Sequence, residues 1–348
     1  MRILFFGAGV LGSLYAARLQ EAGHQVSVLA RGQRLKDIQE HGIVLEEAAT
    51  GKLSTTKVNA VDRLDPKDSY DLAVVLVRKD QLASVLPVLA ANESIPSFLF
   101  MGNNPSGPEE MIMALGRKRV LLGFPGAGGY REGYVIYFRV VSAKKQPTTF
   151  GELDGSTTDR LKQIVEAFRS AGFPVEISRN MDSWLKTHVA LVSPTANALY
   201  LAGLDNYRLA KTRDGLVLMI RAIREGFRVL RRLGIPITPS KLNVMRWMPE
   251  PLLVAVMKRM LNSKTTEIEM VRHAKAGRDE MKRIADDFRE LASKTTIHTQ
   301  AMDKLYLYLD PAHPPLPSGS AQIPLSWSGV WIGLVSLLGL SLILVLFL

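Results

Sequence analysis

The first 30 residues decide the fold: Met1–Phe6 reads MRILFF, Gly7–Gly12 reads GAGVLG, and Gln25–Ala30 reads QVSVLA. The first and last of these runs are short and apolar, which is typical of strands buried in a parallel sheet. Between the glycines and the second run, Leu14–Ala22 has helical spacing and ends at Gly23. A G-x-G-x-x-G motif between a strand and a helix, in a unit of about 30 residues, predicts a dinucleotide-binding, Rossmann-type unit.

Each of the three glycines in this loop has its own structural role. Gly7 permits a tight turn, Gly9 lets the backbone approach a pyrophosphate, and Gly12 allows the helix to pack closely on the strand. The N-terminus of the helix then offers unpaired N–H groups and the positive end of a dipole to the phosphates. The predicted cofactor-binding residues of this loop are Gly7, Ala8, Gly9, Val10, Leu11 and Gly12.

The end of the second strand indicates which dinucleotide is bound. Sites for NAD usually place Asp or Glu there, to hold the ribose hydroxyls. This chain has Arg31 instead, with Arg34 and Lys36 close behind and no acid at the strand end. Because Arg31 could pair with a 2′-phosphate through charge-assisted hydrogen bonds, we expect NADP(H) as the cofactor.

Later apolar runs predict the rest of the sheet. The predicted strands are Leu72–Val77, Ser97–Met101, Val120–Phe124, Phe150–Leu153 and Pro174–Ser178, with a helix at Thr157–Ala171. In open α/β sheets, ligands bind in the loops at the carboxyl ends of the strands. Arg78 and Asn103 follow two such ends, so both loops are candidates for the nicotinamide pocket.

The composition of the chain excludes several classes of protein and several kinds of site. The 348 residues are 47% apolar and 22% charged, which excludes disorder as the main state and predicts two domains with an appendage. The absence of cysteine excludes thiol nucleophiles, disulfides and thiolate metal sites, and the histidines lack metal-ligand spacing. The net charge of +11 favours anionic partners.

The second half of the sequence is helical and carries most of the basic surplus. Helical patterns cover Leu216–Leu233, Pro251–Leu261 and Ile268–Ala292. Ordinary solvent-exposed helix faces are one explanation of the basic surplus. The alternative is that one basic face binds anionic lipid. Nucleic acid is not expected as a partner, because no aromatic platform or reading motif accompanies the charge.

The C-terminus predicts a membrane anchor. Residues 329–348 contain no charged side chain, and a helix of that length spans about 30 Å, the thickness of a bilayer core. The five prolines between Pro311 and Pro324 predict a stiff, extended tether. A buried terminal core helix is the alternative to a span. The expected localisation is membrane-anchored, with the catalytic body in the cytoplasm.

Beyond the glycine loop, several segments resemble the ketopantoate reductase (2-dehydropantoate 2-reductase) family. They are Val28–Gly32, Met101–Asn104 ahead of Glu109-Glu110, Trp184-Leu185-Lys186 after Ala171–Val175, and Thr266–Glu269. The resemblance covers roughly residues 1–310. It implies an α/β Rossmann-type parallel-sheet domain followed by an all-α domain, and an enzyme that reduces a 2-oxo acid with NADPH in the cleft between them.

The resemblance also assigns roles to residues. Lys186 matches the family's catalytic lysine, Asn103 an asparagine near nicotinamide and substrate, and Glu267 the glutamate of the T-E-I segment. Arg78 falls where many members have a lysine. Two positions depart from the family: Ala190 replaces an asparagine four residues after the lysine, and Ala255 replaces a serine about twelve residues before the glutamate. Both departures put ketopantoate itself in doubt more than the type of reaction.

The residues also suggest a mechanism. Hydride transfer to a ketone leaves negative charge on oxygen, which a nearby ammonium can stabilise and protonate. Lys186 can supply both functions. Ser193 and Asn197 lie seven and eleven residues further along a predicted helix over Met181–Tyr200, near the same face, and could replace the missing substrate contacts.

Together these observations predict four regions: an NADP-binding domain over 1–178, a helical substrate and dimerisation domain over 179–310, a tether over 311–327 and a membrane span over 328–348. The preferred hypothesis is an NADPH-dependent reductase of a 2-oxo acid, and a homodimer is left open. The alternative is a membrane-tethered NADP-binding sensor or scaffold with little catalysis.

Overall fold

A computed structural model describes residues 1–327, except for the side chains of Ile268, Glu269 and His273. By its internal contacts this part of the chain divides into two compact units. The first comprises residues 1–189 and 282–288, and the second comprises residues 190–281 and 289 onward. Two helices, Met181–Leu201 and Arg278–Ser293, contribute residues to both units.

Two sheets form the framework of the first unit. The strands of residues 1–327 are β1 (Arg2–Phe6), β2 (Gln25–Leu29), β3 (Ile43–Glu47), β4 (Leu53–Thr56), β5 (Asn59–Val61), β6 (Leu72–Val75), β7 (Phe98–Met101), β8 (Val120–Phe124), β9 (Ala127–Glu132), β10 (Val135–Val140), β11 (Thr148–Glu152) and β12 (Val175–Ile177). The main sheet has the order β12-β11-β8-β7-β6-β1-β2-β5, and the smaller sheet has the order β4-β3-β10-β9. All pairs of the main sheet are parallel except β8 with β11.

Side-chain alternation along β1 shows why this run forms a central strand. Ile3 and Phe5 pack into the core on one face of the sheet, and Leu4 and Phe6 pack into the core on the other. Successive residues of a strand point to opposite faces, so a strand buried on both faces must be apolar throughout. The sequence prediction of a buried strand at Met1–Phe6 is confirmed.

Helices cover both faces of the main sheet. Those of the first unit are α1 (Val10–Glu21), α2 (Gly32–His41), α3 (Leu82–Ala90), α4 (Glu109–Leu115), α5 (Asp159–Ser170) and the first part of α6 (Met181–Leu201). Thr158 caps α5, because its side-chain oxygen accepts the N–H of Leu161 at 3.3 Å. The strand–loop–helix order of β1, the glycines and α1 matches the prediction from sequence.

The second unit is helical. Its helices are the rest of α6, α7 (Asn206–Lys211), α8 (Arg213–Arg232), α9 (Val244–Trp247), α10 (Glu250–Leu261), α11 (Lys264–Thr266), α12 (Arg272–Ala276), part of α13 (Arg278–Ser293) and α14 (Gln300–Tyr306). The single helix predicted over Ile268–Ala292 is divided into a π-helical turn at Glu267–Val271, α12 and α13. Gly277 separates α12 from α13, as its poor helix propensity explains.

The segment predicted as a tether lies along the second unit. Asp214 accepts the N–H groups of Gln322 and Ile323 at 2.9 and 2.8 Å. Further along, Ser326 donates its N–H to Glu250 at 2.8 Å. Carboxylates of the helical unit therefore bind three backbone N–H groups of residues 320–326, which we call the docked segment.

The predicted membrane anchor requires a correction. Within residues 1–327, no helix is both long enough and apolar enough to cross a bilayer. The two helices of about the required length, α6 and α8, carry polar and charged side chains along their course. The predicted span itself, 328–348, lies outside the described residues. We therefore correct the fold class to a Rossmann-type unit followed by a helical unit, and the membrane-anchored localisation is not retained.

Candidate cofactor and active site

The glycine loop between β1 and α1 has no room for side chains at two of its glycines. Gly7 has a φ of +119°, and a Cβ there would lie 2.5 Å from the carbonyl oxygen of Leu76. A Cβ on Gly12 would lie 1.9 Å from the carbonyl oxygen of Gly7. Only glycine allows the first turn of α1 to approach the loop and β6 this closely.

Gly9 differs from the other two glycines, because a Cβ there would meet no atom within 4 Å. Gly9 is the N-cap of α1, no side chain caps this helix end, and its first turn holds no acidic residue. The space beside Gly9 is thus open at the N-terminus of α1, which is the positive end of the helix dipole. These features fit the pyrophosphate of a dinucleotide.

The two arginines that follow β2 differ in burial and in hydrogen bonding. Arg34 is buried and donates to the carbonyl oxygens of Ala8 and Tyr134 at 3.2 Å each, and to the hydroxyl of Ser13 at 2.9 Å. Burial, with a smaller effect of Arg131, lowers the pKa of Arg34 to about 10. Arg31 is exposed at the N-cap of α2 and makes no hydrogen bond or ion pair within the described chain. Of these two arginines, Arg31 is therefore the one available to a ligand.

A small cavity lies at the carboxyl ends of β6 and β7. Asn103, Lys79 and Leu185 are among its lining residues. Asn103 thus lines a cavity at the carboxyl end of β7, and its predicted contact with the nicotinamide stays a prediction. Arg78 does not line the cavity; it pairs with Asp80 at 3.0 Å and its side chain is 39% exposed.

An ion pair that was not predicted from sequence lies at this cavity. The side chain of Lys79 is 2% exposed, and its ammonium group binds the carboxylate of Glu110 on α4. A buried charge is tolerated only when it is paired. The pair fixes α4 to the loop after β6. Nothing in the sequence connects positions 79 and 110, since the contact depends on how the loops meet.

Lys186 lies beside the loop that follows β7. Its ammonium group would be 3.5 Å from a Cβ on Gly107, and Asn104 donates its side-chain N–H to the carbonyl of Gly107 at 2.6 Å. The lysine is 12% exposed and pairs with Asp182 one turn earlier in α6. The other carboxylate oxygen of Asp182 is buried and has no hydrogen-bond partner in the described chain. Asp182 is a candidate site residue that was not predicted, although its spacing of four residues from Lys186 is a recognisable signal in the sequence.

The remaining predicted site residues belong to the second unit. Ser193 and Asn197 on α6 are both 4% exposed, and the side-chain oxygen of Asn197 is buried without a partner in the described chain. Glu267 lies in the π-helical turn and accepts a hydrogen bond from the hydroxyl of Tyr207 at 3.2 Å. Such turns are frequent at functional sites.

Comparison with known proteins fits this arrangement. Residues 3–155 match the model of the family described as ketopantoate reductase PanE/ApbA. The 2-dehydropantoate 2-reductase of Archaeoglobus fulgidus is 26% identical over 78% of this chain and 89% of its own length. The chain is therefore similar to the ketopantoate reductase family, and the family match itself covers the glycine loop and most of the sheet.

Solved structures share the fold. That of 2-dehydropantoate 2-reductase from Methylococcus capsulatus has a TM-score of 0.71 at 20% identity, covering 89% of this chain and 96% of its own. The ternary structure of D-mandelate dehydrogenase with NADH and anilino(oxo)acetate has a TM-score of 0.72 at 15% identity, covering 89% and 98%. At these identities the likeness concerns the fold alone.

These matches support one part of the functional prediction. The chain is an oxidoreductase similar to the 2-dehydropantoate 2-reductases. A nicotinamide dinucleotide agrees with the family and with the geometry of the glycine loop, whereas the preference for NADP(H) stays a prediction.

The two departures from the ketopantoate reductase pattern have different surroundings. A Cβ on Gly226 of α8 would lie 3.1 Å from the Cβ of Ala190, so α6 and α8 approach closely at this point. Ala190 is fully buried, and an asparagine would not fit there without separating the helices. Ala255, by contrast, is exposed on α10.

Proposed function

We propose that this protein reduces a 2-oxo acid or a related ketone to the 2-hydroxy acid, with NADPH as the reductant. The observation that carries the proposal is the position of Lys186. Its ammonium group lies beside the loop after β7, in the same unit as the glycine loop, and the neighbouring residue Leu185 lines the Asn103 cavity. A cation near the carboxyl ends of these strands is placed where ligands of such sheets bind.

The cofactor would be held by the backbone of the glycine loop and by Arg31. The N–H groups at the start of α1 would bind the pyrophosphate, since Gly9 leaves the approach open. Arg31 would bind the 2′-phosphate, because Arg34 is already committed to the loop backbone. NADPH, when bound, supplies the hydride.

Lys186 would act on the carbonyl oxygen of the substrate. An ammonium group stabilises the negative charge that develops there and donates the proton. Asp182 would hold the ammonium group in place through the ion pair one turn away. Exclusion of water strengthens the electrostatic attraction between an ammonium group and a negatively charged oxygen. The side chain of Lys186 is largely buried, which favours this stabilisation.

Ser193 and Asn197 are proposed as substrate-binding residues on their own surroundings within the second unit. Ser193, Asn197 and Glu267 offer one hydroxyl, one amide and one carboxylate, and the amide oxygen of Asn197 is buried with no partner in the described chain. Buried polar groups are normally paired, so an unpaired amide oxygen suggests a missing ligand. Glu267 is proposed as a second catalytic residue on the family resemblance and its place in the π-helical turn.

The direct test is oxidation of NADPH by the purified full chain against a panel of 2-oxo acids that includes ketopantoate and an aryl 2-oxo acid. We expect turnover with at least one member and formation of the 2-hydroxy acid in equal amount. NADPH binding without turnover of any member would contradict the proposal and favour the non-catalytic sensor or scaffold instead.

A further inference from the structure

Two buried side chains hold the carbonyl group of Ala8 in the glycine loop. Ser13 donates its hydroxyl to this oxygen at 3.1 Å, and Arg34 donates its Nε–H to the same oxygen at 3.2 Å. Arg34 also donates to the hydroxyl oxygen of Ser13 at 2.9 Å, so the three groups are bonded to one another. Ser13 is fully buried and Arg34 is 8% exposed. Together they fix the orientation of the peptide group that joins Ala8 to Gly9.

This orientation determines the direction of the next N–H group. In a planar trans peptide, the C=O of one residue and the N–H of the following residue point in opposite directions. Because the C=O of Ala8 points toward Arg34 and Ser13, the N–H of Gly9 points away from them. Within residues 1–327 this N–H has no hydrogen-bond partner. It lies at the N-cap of α1, beside the open space at Gly9, and is thus a donor that a ligand can use.

The smaller sheet holds Arg34 from another side. Arg34 donates to the carbonyl oxygen of Tyr134 at 3.2 Å. Tyr134 lies in the two-residue turn between β9 and β10, after Gly133 with a φ of +57°, as tight hairpin turns require. The rings of Tyr134 and His41, the last residue of α2, lie 4.3 Å apart. The guanidinium group of Arg34 therefore joins the glycine loop to a hairpin that is itself packed on α2.

The charge of Arg34 is not neutralised by an ion pair within the described chain, since its three hydrogen-bond partners are uncharged. Burial and the nearby charge of Arg131 lower its pKa to about 10, and the charge of Asp37 offsets this only in part. The guanidinium group thus remains a cation at neutral pH. Buried cations are normally paired, so this one favours an anion at the adjoining loop.

We propose that Arg34 is a positioning residue for the pyrophosphate of the nicotinamide dinucleotide, an inference that rests on the proposed function. Arg34 acts through the carbonyl group of Ala8 and through Ser13, without touching the cofactor. It directs the N–H of Gly9 toward the pyrophosphate, and its charge attracts the phosphates from behind the loop. NADH and NADPH both carry a pyrophosphate. Arg34 therefore serves both cofactors alike, whereas Arg31 serves the 2′-phosphate of NADPH alone.

Titration of the full chain with NADPH and with NADH tests this role. Arg34→Met keeps the length of the buried side chain and removes its donors. We expect the dissociation constants of both cofactors to rise by roughly tenfold, the scale of a hydrogen bond to a charged group, and their ratio to stay unchanged. Ser13→Ala is the milder second variant and should raise both constants by roughly threefold, the scale of a neutral hydrogen bond.

Arg131→Ala is the matched control. It removes a positive charge near Arg34, but Arg131 is exposed and makes no hydrogen bond to the glycine loop within the described residues. Both dissociation constants should therefore stay unchanged in this variant. The melting temperature of each variant without cofactor, measured alongside, shows that the titrated protein is folded.

Unchanged affinity for both cofactors in folded Arg34→Met, or in Ser13→Ala where Arg34→Met does not fold, would overturn the proposal. A loss confined to NADPH would also overturn it and assign Arg34 to the 2′-phosphate. An equal loss in Arg131→Ala would overturn it as well, because positive charge in general would then decide binding. These three outcomes leave the proposed function intact, whereas failure of the unmodified chain to bind either cofactor would overturn both.

Discussion

At the scale of single residues, Arg31 and Arg34 show how structure separates neighbours that look alike in sequence. Both follow the second strand, and both are candidates for a phosphate. Arg34 donates hydrogen bonds to Ala8, Ser13 and Tyr134, whereas Arg31 is exposed and unpaired within residues 1–327. The sequence could indicate a basic site, but it could not indicate that one arginine supports the loop from behind.

Cofactor selectivity is therefore predicted to depend on Arg31. Replacing it by alanine should weaken NADPH binding by about 1.5–3 kcal/mol, the scale of a hydrogen bond to a charged group, and NADH binding much less. Lys36→Ala, which removes an exposed charge one turn further along α2, serves as the control and should change neither. Fluorescence titration with both cofactors measures this; equal losses for both in the Arg31 variant would refute the assignment.

Asp182 is predicted to position Lys186. Asp182→Asn removes the charge of the ion-pair partner while keeping its shape, so we expect turnover to fall by about tenfold, with the affinity for NADPH unchanged. Asp159→Asn is the control, because Asp159 forms an exposed pair with Lys162. Steady-state kinetics with the best substrate of the panel measure the turnover of both variants. Unchanged turnover in Asp182→Asn would show that Asp182 does not position Lys186 for catalysis.

At the scale of elements, the strands were predictable where burial on both faces demands apolar runs. The smaller sheet was missed entirely. In β9, AGGYRE reads as a loop because of its two glycines, yet a Cβ on Gly129 would lie 2.1 Å from the carbonyl oxygen of Tyr137 on β10. Close approach of the partner strand, which sequence does not reveal, explains that glycine.

The start of α1 yields a prediction with an internal control. Gly9→Ala fills space that is empty in the protein, so it should leave the melting temperature nearly unchanged and weaken dinucleotide binding. Gly12→Ala forces a methyl group against the carbonyl of Gly7, so it should destabilise the fold by about 1–3 kcal/mol, the cost of overpacking. Thermal unfolding and NADPH titration of both variants separate these effects. A Gly9 variant that binds NADPH normally would show that no phosphate approaches there.

At the scale of the whole molecule, the docked segment links the C-terminal part of the chain to the helical unit through Asp214. Burial alone would raise the pKa of this carboxyl group, but hydrogen bonds from Ser320, Ile323 and Gln322 outweigh it and hold the pKa below its usual 3.8. A lowered pKa in the folded state contributes stability above pH 3.8 and loses it as the pH falls through the folded value.

The contribution of this attachment to the stability of the fold should therefore depend on pH and decrease at low pH. We expect Asp214→Asn to lower the melting temperature at pH 6 and the difference from the unmodified protein to shrink below pH 3.8. Hydrogen exchange at the amides of Gln322 and Ile323 should rise in the variant at pH 6. A difference in melting temperature that is the same at pH 6 and pH 3 would contradict the role given to this carboxylate.

The central claim, that Lys186 is the proton donor of an NADPH-dependent ketone reduction, is tested most directly by single-turnover oxidation of bound NADPH. The full chain and the Lys186→Ala variant are mixed with the best 2-oxo acid of the panel, with Lys162→Ala, an exposed lysine on α5, as control. We expect Lys186→Ala to slow NADPH oxidation by about 100-fold or more, the scale of acid–base catalysis, while its NADPH affinity and the control rate stay unchanged. An oxidation rate in Lys186→Ala equal to that of the unmodified protein would contradict it.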